Sequence, residues 1–239
     1  MSGGAYSALS GMKTRLEELD RIAADLANVG TAGYKTERAG TSTVERDAFG
    51  SALESAVDVV SGTHKVDFAP GVMANTGNPL DVAIDGHGFF AIETPQGTRY
   101  TRSGSFSRRG DGLLTTSQGE PVLGEGDSQI KLPPGAVTIE ASGTIRSGAT
   151  VVGHLQVANF EERDLVRESG ARFRVIPGAD PQDFDGTLVS GSLEQANISM
   201  VDRMAALTEV SRGFDLLQRG VSVFMNELDA KAIQELGRR

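Results

Sequence analysis

Leu9-Ser10-Gly11-Met12-Lys13-Thr14-Arg15-Leu16-Glu17-Glu18-Leu19-Asp20-Arg21-Ile22-Ala23-Ala24-Asp25-Leu26 places apolar residues at 9, 12, 16, 19, 23 and 26, in alternating steps of four and three. That spacing sets them on one seam of an α-helix, the a and d positions of nearly three heptads. Charged residues take the other faces, and Gly30 and Gly33 supply a stop. The far end of the chain repeats the design with Met200, Leu207, Val210, Phe214, Leu217, Val221, Phe224 and Leu228. Arg203 and Lys231 interrupt this second seam. Asn197 or Ser199 is placed to cap the second helix, with Asp202 suited to its first turn. A seam this narrow suits contact with another helix rather than with a broad globular core. The two helices are expected to pair with each other or with copies from neighbouring chains.

Between the helices the period changes. Residues 37–75 have mixed polarity and no sustained repeat, and read as extended linker with weak strands. From Pro79 onward, Leu80, Val82 and Ile84 alternate with Asp81, Ala83 and Asp85, the pattern of a half-buried strand with a solvated acidic face. Pro95-Gln96-Gly97 turns Phe89–Ile92 back into Thr98–Thr101, and Gly110-Asp111-Gly112 separates Ser105–Ser107 from Leu113–Thr116. Further expected pairs are Val137–Glu140 with Thr144–Arg146, and Val151-Val152 with Leu155–Val157. Glycine-bearing turns at this density predict an all-β body rather than βαβ units. The fold class is α+β: an all-β central domain flanked by N- and C-terminal amphipathic helices that pair as a coiled coil. The divisions expected are 1–36 and 191–239 for the helical segments, 37–75 for the linker and 76–190 for the β-domain.

The chain is long enough for one or two domains with a substantial core, at 239 residues. Its 32 acidic and 23 basic residues leave a net charge of −9, which argues against general nucleic-acid binding, since phosphates demand a cationic surface. With no cysteine, disulfides and thiolate metal sites are excluded. The start lacks the basic and apolar regions of a signal peptide, and no run approaches the ~20 apolar residues of a membrane span.

Motifs that could carry chemistry resolve into ordinary structure. His64, His87 and His154 are too far apart for a local metal motif, and no Gly-x-Ser-x-Gly elbow or phosphate loop occurs. His87 reads as a solvated turn residue and His154 as a strand surface residue. Asp81 and Asp85 fit the solvated strand face better than a catalytic pair. Arg99, Arg102, Arg108 and Arg109 gather around Tyr100 and Phe106 as the one basic, aromatic-bearing patch. That patch is read either as a solvated hairpin or as a subunit contact onto an acidic neighbour. No catalytic, cofactor-binding or metal-binding residue is assigned, and no cofactor is expected.

Asp25-Leu26-Ala27-Asn28-Val29-Gly30-Thr31-Ala32-Gly33-Tyr34-Lys35 resembles the N-terminal signature of flagellar basal-body rod and hook proteins. Thr76–Phe90 resembles the central block of that family, continued by Tyr100-Thr101-Arg102-Ser103-Gly104-Ser105-Phe106 and Gly112–Thr116. Gly191-Ser192-Leu193-Glu194-Gln195-Ala196-Asn197 is similar to the stretch before the family's last helix. Three departures stand out: Ala32 for a usual proline, Asp25 for a common asparagine, and Gly213 where the family has alanine. The short region between Lys35 and Pro79 is most like the proximal rod members, with the distal rod members second.

The resemblance implies a non-catalytic structural subunit of the basal-body rod, a helical drive shaft carrying torque from motor to hook across the periplasm. It implies partners among proximal and distal rod subunits and copies of itself, and passage unfolded through the flagellar export apparatus without a cleaved leader. No nucleic acid or membrane insertion is expected. The assembly interface is assigned to Leu9, Met12, Leu16, Leu19, Leu26 and Asn28, with Leu207, Val210, Phe214, Leu217, Val221, Phe224 and Leu228 opposite. A cell-envelope binding module with oligomerising helices is the rival class.

Overall fold

A computed structural model describes the backbone of residues 2–39 and 64–236, and the side chains of residues 11–38 and 65–223. Most of the 37–75 stretch, from 40 to 63, lies outside the described residues. Two compact units result. One is built on the two terminal helices, and the other comprises Asn28–Thr36 and Val66–Ile198.

In the helical unit, α1 spans Ser2–Ala27 and α2 spans Met200–Leu236. Ser199 is the N-cap of α2: its Oγ accepts from the Asp202 N–H at 3.3 Å, and its carbonyl accepts from the Arg203 N–H at 3.0 Å. The helices lie side by side. A Cβ built on Gly11 would fall 3.9 Å from Leu217 Cδ1, and one on Gly213 would fall 3.9 Å from Arg15 Nε. Arg203 Nε lies 3.4 Å from Asp25 Oδ2. Moving up α1 from 11 to 15 to 25 thus moves down α2 from 217 to 213 to 203 by the same number of residues, so the pairing is antiparallel and in step.

On α1 the covered stripe consists of Met12, Leu19, Ile22, Asp25 and Leu26, with Ile22 and Asp25 buried; Leu16 and Ala23 face outward. The stripe is therefore rotated from the expected seam toward Ile22. On α2, Leu207, Phe214, Leu217 and Val221 are half-buried and Val210 is buried. Arg203 occupies the seam position it seemed to break. Among the described residues, no helix is long and apolar enough to cross a membrane.

The β unit is organised around a five-stranded antiparallel sheet in the order Val157–Ala158, Phe89–Thr94, Gly97–Thr101, Arg172–Val175, Leu165–Ser169. Thr94 pairs with Gly97 across the two-residue loop Pro95-Gln96. Successive residues of a strand point to opposite faces, and here both faces are covered. Phe90 and Ile92 enter one core with Val82, Ile84, Phe106 and Leu114, while Phe89 enters a second with Phe160, Leu165 and Phe173. The rings of Phe68, Phe89 and Phe173 meet with centroids 5.4 to 5.7 Å apart.

Phe106–Arg108 pairs with Leu114–Thr116 as expected, and Thr138–Ile139 pairs with Thr144–Ser147. Two expectations need correction. Thr150–His154 folds back onto Thr144–Ser147, and Val157 joins Phe90 at the edge of the main sheet, so Val151-Val152 and Leu155–Val157 are not partners. Val82–Asp85 pairs with Thr187–Ser190, and it is covered on both sides rather than half-solvated. Ala83 is fully buried, and Asp81 is buried because Thr76 Oγ1 and Asn78 Nδ2 donate to its carboxylate at 2.7 and 3.1 Å. Only Asp85 keeps the solvated place expected of it.

Candidate assembly site

The segment that follows α1 does not trail away from the β unit but is built into it. Thr31 closes a turn on Asn28, its N–H reaching the Asn28 carbonyl at 2.9 Å and its Oγ1 reaching Asn28 Oδ1 at 3.2 Å. This turn performs the stop that a proline at 32 would otherwise assist. Gly33 then takes φ +68°, and its Cα comes so near the Arg102 backbone that a Cβ would sit 2.4 Å from the Arg102 carbonyl carbon. Only glycine meets both conditions. The Gly33 N–H donates to the Glu194 carbonyl at 2.7 Å.

Lys35 is fully buried beyond that turn. Its ammonium donates to Glu194 Oε1 at 2.5 Å and to the Ala69 carbonyl at 2.9 Å. Glu194 Oε1 also accepts the Gly71 N–H at 2.9 Å, and Glu194 Oε2 lies 3.1 Å from Arg102 Nε. Arg102 completes its fork on the carbonyls of Gly88 and Gly86 at 2.8 and 2.9 Å. One buried carboxylate thus holds two buried cations. Burial holds the Lys35 ammonium below its usual range against the opposing pull of Glu194, and burial likewise lowers the Arg102 guanidinium.

Asn197 seals the same place. Its Oδ1 accepts from the Thr36 N–H at 2.8 Å, and its Nδ2 donates to the carbonyls of Asp67 and Ala69 at 2.7 and 3.1 Å. Of the two cap candidates, Ser199 is therefore the cap and Asn197 is a tie. Arg167 donates to the Lys35 carbonyl and stacks over the Tyr34 ring at 4.7 Å. Three sequence blocks more than 60 residues apart, around 33–36, 102 and 191–197, converge on this buried cluster. Their chemistry is retention of geometry: Lys35, Arg102, Glu194 and Asn197 are each tied to other parts of the chain.

The interface residues read from the sequence divide by position. Met12, Leu19, Leu26, Leu207, Phe214, Leu217 and Val221 are half-buried and Val210 is buried, while Leu16 is 47% exposed. Asn28 is half-buried in its turn. The side chains of Leu9, Phe224 and Leu228 lie outside the described residues. Ile22, 2% exposed, was missed although it stands three residues from Leu19 and four from Leu26. Lys35 and Glu194 were quoted only inside motifs, because nothing local marks a charge as buried.

The basic patch is dispersed by the fold. Arg99 is buried beside Glu168, with its Nε 2.6 Å from Oε2, and Arg102 is buried at Glu194; Arg108 and Arg109 remain exposed. His87 is exposed, and the half-buried His154 has its Nδ1 3.2 Å from Thr144 Oγ1. Among the described residues, no three His, Cys, Asp or Glu side chains are gathered to hold a metal ion.

The two paired terminal helices form one unit, and a β unit tied together by a buried ion cluster forms the other. The family model for the flagellar hook protein FlgE/F/G D1 domain matches residues 83–147. The chain is 32% identical over 245 residues to the flagellar basal-body rod protein FlgF of Caulobacter vibrioides, covering 100% of this chain and 99% of that one. It is 33% identical to FlgF of Mesorhizobium japonicum, with 90% of each chain covered. It is 32% identical to the rod protein FlgG of Bacillus subtilis, covering 87% of this chain and 90% of the relative. The chain belongs to the flagellar basal-body rod protein family.

Proposed function

We propose that this protein is the proximal rod subunit of the bacterial flagellar basal body, assembling with copies of itself and with other rod proteins into a helical shaft. End-to-end similarity to FlgF chains carries the reading, and the helical unit supplies its physics. In the assembled shaft the two helices pair as a coiled coil. The pair covers one stripe of each helix and leaves a second set of apolar side chains in water. Leu216 is 68% exposed, Val223 59% and Leu16 47%. Full burial of such a side chain is worth ~1.5–3 kcal/mol, so neighbouring subunits gain by covering them. Contacts of this head-to-tail kind that do not close on themselves extend into a filament. The subunit works without catalysis, and travels unfolded through the flagellar export apparatus to the periplasm.

Electron microscopy of basal bodies from cells lacking this chain tests the reading. Rods that are absent or stop at the inner-membrane ring are expected; rods that stop later would favour the distal position, which similarity to FlgG also supports. Normal rods and hooks would refute both. Asp at Leu16 or Leu217 is expected to abolish motility while the β unit stays folded.

A further inference from the structure

The hairpin of Phe106–Arg108 and Leu114–Thr116 ends in a turn that faces the segment Lys131–Pro134 across an open cleft of about 730 Å³. The walls are fixed. The Leu132 N–H donates to the Gly112 carbonyl at 2.8 Å, and Leu113 bridges Lys131. Arg109 and Asp111 grip each other, with Nη2 2.7 Å from Oδ2, so their charges cancel. Arg108 and Lys131 are different. Arg108 Nη1 donates to the Pro133 carbonyl at 2.8 Å, which orients the guanidinium without neutralising it. Among the described residues neither Arg108 nor Lys131 has a carboxylate partner, and both are exposed where they line the cleft. In a chain of net charge −9, an uncompensated cationic cleft is an exception that calls for an anion.

The same β unit supplies one. Asp180, Asp183 and Asp185 stand exposed within six residues, and none pairs with a cation among the described residues. The loop is anchored: Gln182 exchanges backbone hydrogen bonds with Asn159, and Phe184 packs on the larger core. It therefore presents its carboxylates at small cost in ordering.

The geometry points to a head-to-tail contact between copies of this chain, in which the Asp180–Asp185 loop of one copy seats in the Arg108 and Lys131 cleft of the next. This inference rests on the rod-subunit reading and adds a contact between β units to it. The two patches differ, so the contact is heterologous and propagates. The opposite charges of the two patches give the contact specificity beyond its strength.

Sedimentation of the full-length chain at about 50 mM and about 500 mM NaCl tests it, since the screening length falls several-fold over that range. Wild type should self-associate at low salt and weaken at high salt. R108E/K131E and D180K/D183K/D185K should each weaken association about tenfold or more. An equimolar mixture of the two variants should restore it, because each reversed patch meets its opposite on the other chain. A monomeric wild type, variants that associate as wild type does, or a mixture that fails to recover would each overturn the contact. Basal-body microscopy of the deletion decides the rod reading separately: missing rods with unchanged association would sink this contact alone.

Discussion

Glu194 is the single anion between two buried cations, so replacing it by Gln removes charge without removing shape. Lys35 is 0% exposed and Arg102 6%, and neither can turn to water. Breaking a buried ion pair by deleting one partner costs ~3–5 kcal/mol, because the other charge stays behind. Glutamine keeps an oxygen for the Gly71 N–H and for the Lys35 ammonium, hydrogen bonds worth ~1 kcal/mol each. The lower end, about 3 kcal/mol, is therefore expected at pH 7, a large share of a typical ~5–15 kcal/mol stability. Urea unfolding followed by far-ultraviolet circular dichroism measures it. The pH dependence carries a sign. Burial already lowers the Lys35 ammonium from its ordinary value of 10.5, and E194Q lowers it further by removing the partner that opposes burial. Between its folded value and 10.5 the folded chain binds fewer protons than the unfolded one, so stability rises with pH across that window. The E194Q deficit should therefore shrink as pH rises toward 10.5. A loss below about 1 kcal/mol, or a deficit that ignores pH, would refute the view of Glu194 as the keystone of this cluster.

Four further outcomes follow from the same geometry. Gly213→Ala should stabilise the helical unit by ~1 kcal/mol in thermal unfolding, because the new Cβ meets only ordinary contact at 3.9 Å and the backbone loses a glycine's freedom. Arg203→Met should cost ~2 kcal/mol by withdrawing a cation 3.4 Å from the fully buried Asp25, and adding Asp25→Asn should recover most of that loss. Phe173→Ala should cost ~3–5 kcal/mol in urea unfolding, since Phe173 is 0% exposed between Phe68 and Phe89. The Asp111 carboxyl should titrate at about 2 by carbon NMR rather than at 3.8, held down first by Arg109 and then by the Leu113 N–H. Its tie to Arg109 is complete above 3.8 and is lost as pH falls through about 2.

What could be read from the sequence was what repeats. Alternating steps of three and four located both helices, and glycine-bearing turns at Pro95–Gly97 and Gly110–Gly112 located two hairpins, because period and turn chemistry are local. Burial is not local. Asp81 looked solvated because alternation assigns one strand face to water, yet Thr76 and Asn78 fold over it and satisfy its carboxylate. Arg99 and Arg102 looked like neighbours of Arg108 in one patch, yet each has its own carboxylate far along the chain, the exposed Glu168 and the buried Glu194. Ile22 was passed over because a strict heptad step from Leu19 lands on Ala23, while residues three and four apart share a helix face and Ile22 stands three from Leu19 and four from Leu26.

The departures at the helix pair show how such misses are resolved. Asp25 breaks the signature by standing where asparagine is common, and Arg203 breaks the second seam by standing where an apolar residue belongs. The structure makes these two breaks one feature: Asp25 is 0% exposed, and Arg203 reaches it at 3.4 Å from the opposite helix. A purely apolar seam specifies register weakly, because heptads look alike after a slip of seven. Sliding α2 until Val210 replaced Arg203 would bury the Asp25 carboxylate against an apolar side chain, a loss that the remaining leucine contacts could not offset. The charged pair therefore favours one register of the two helices, and each irregular residue accounts for the other.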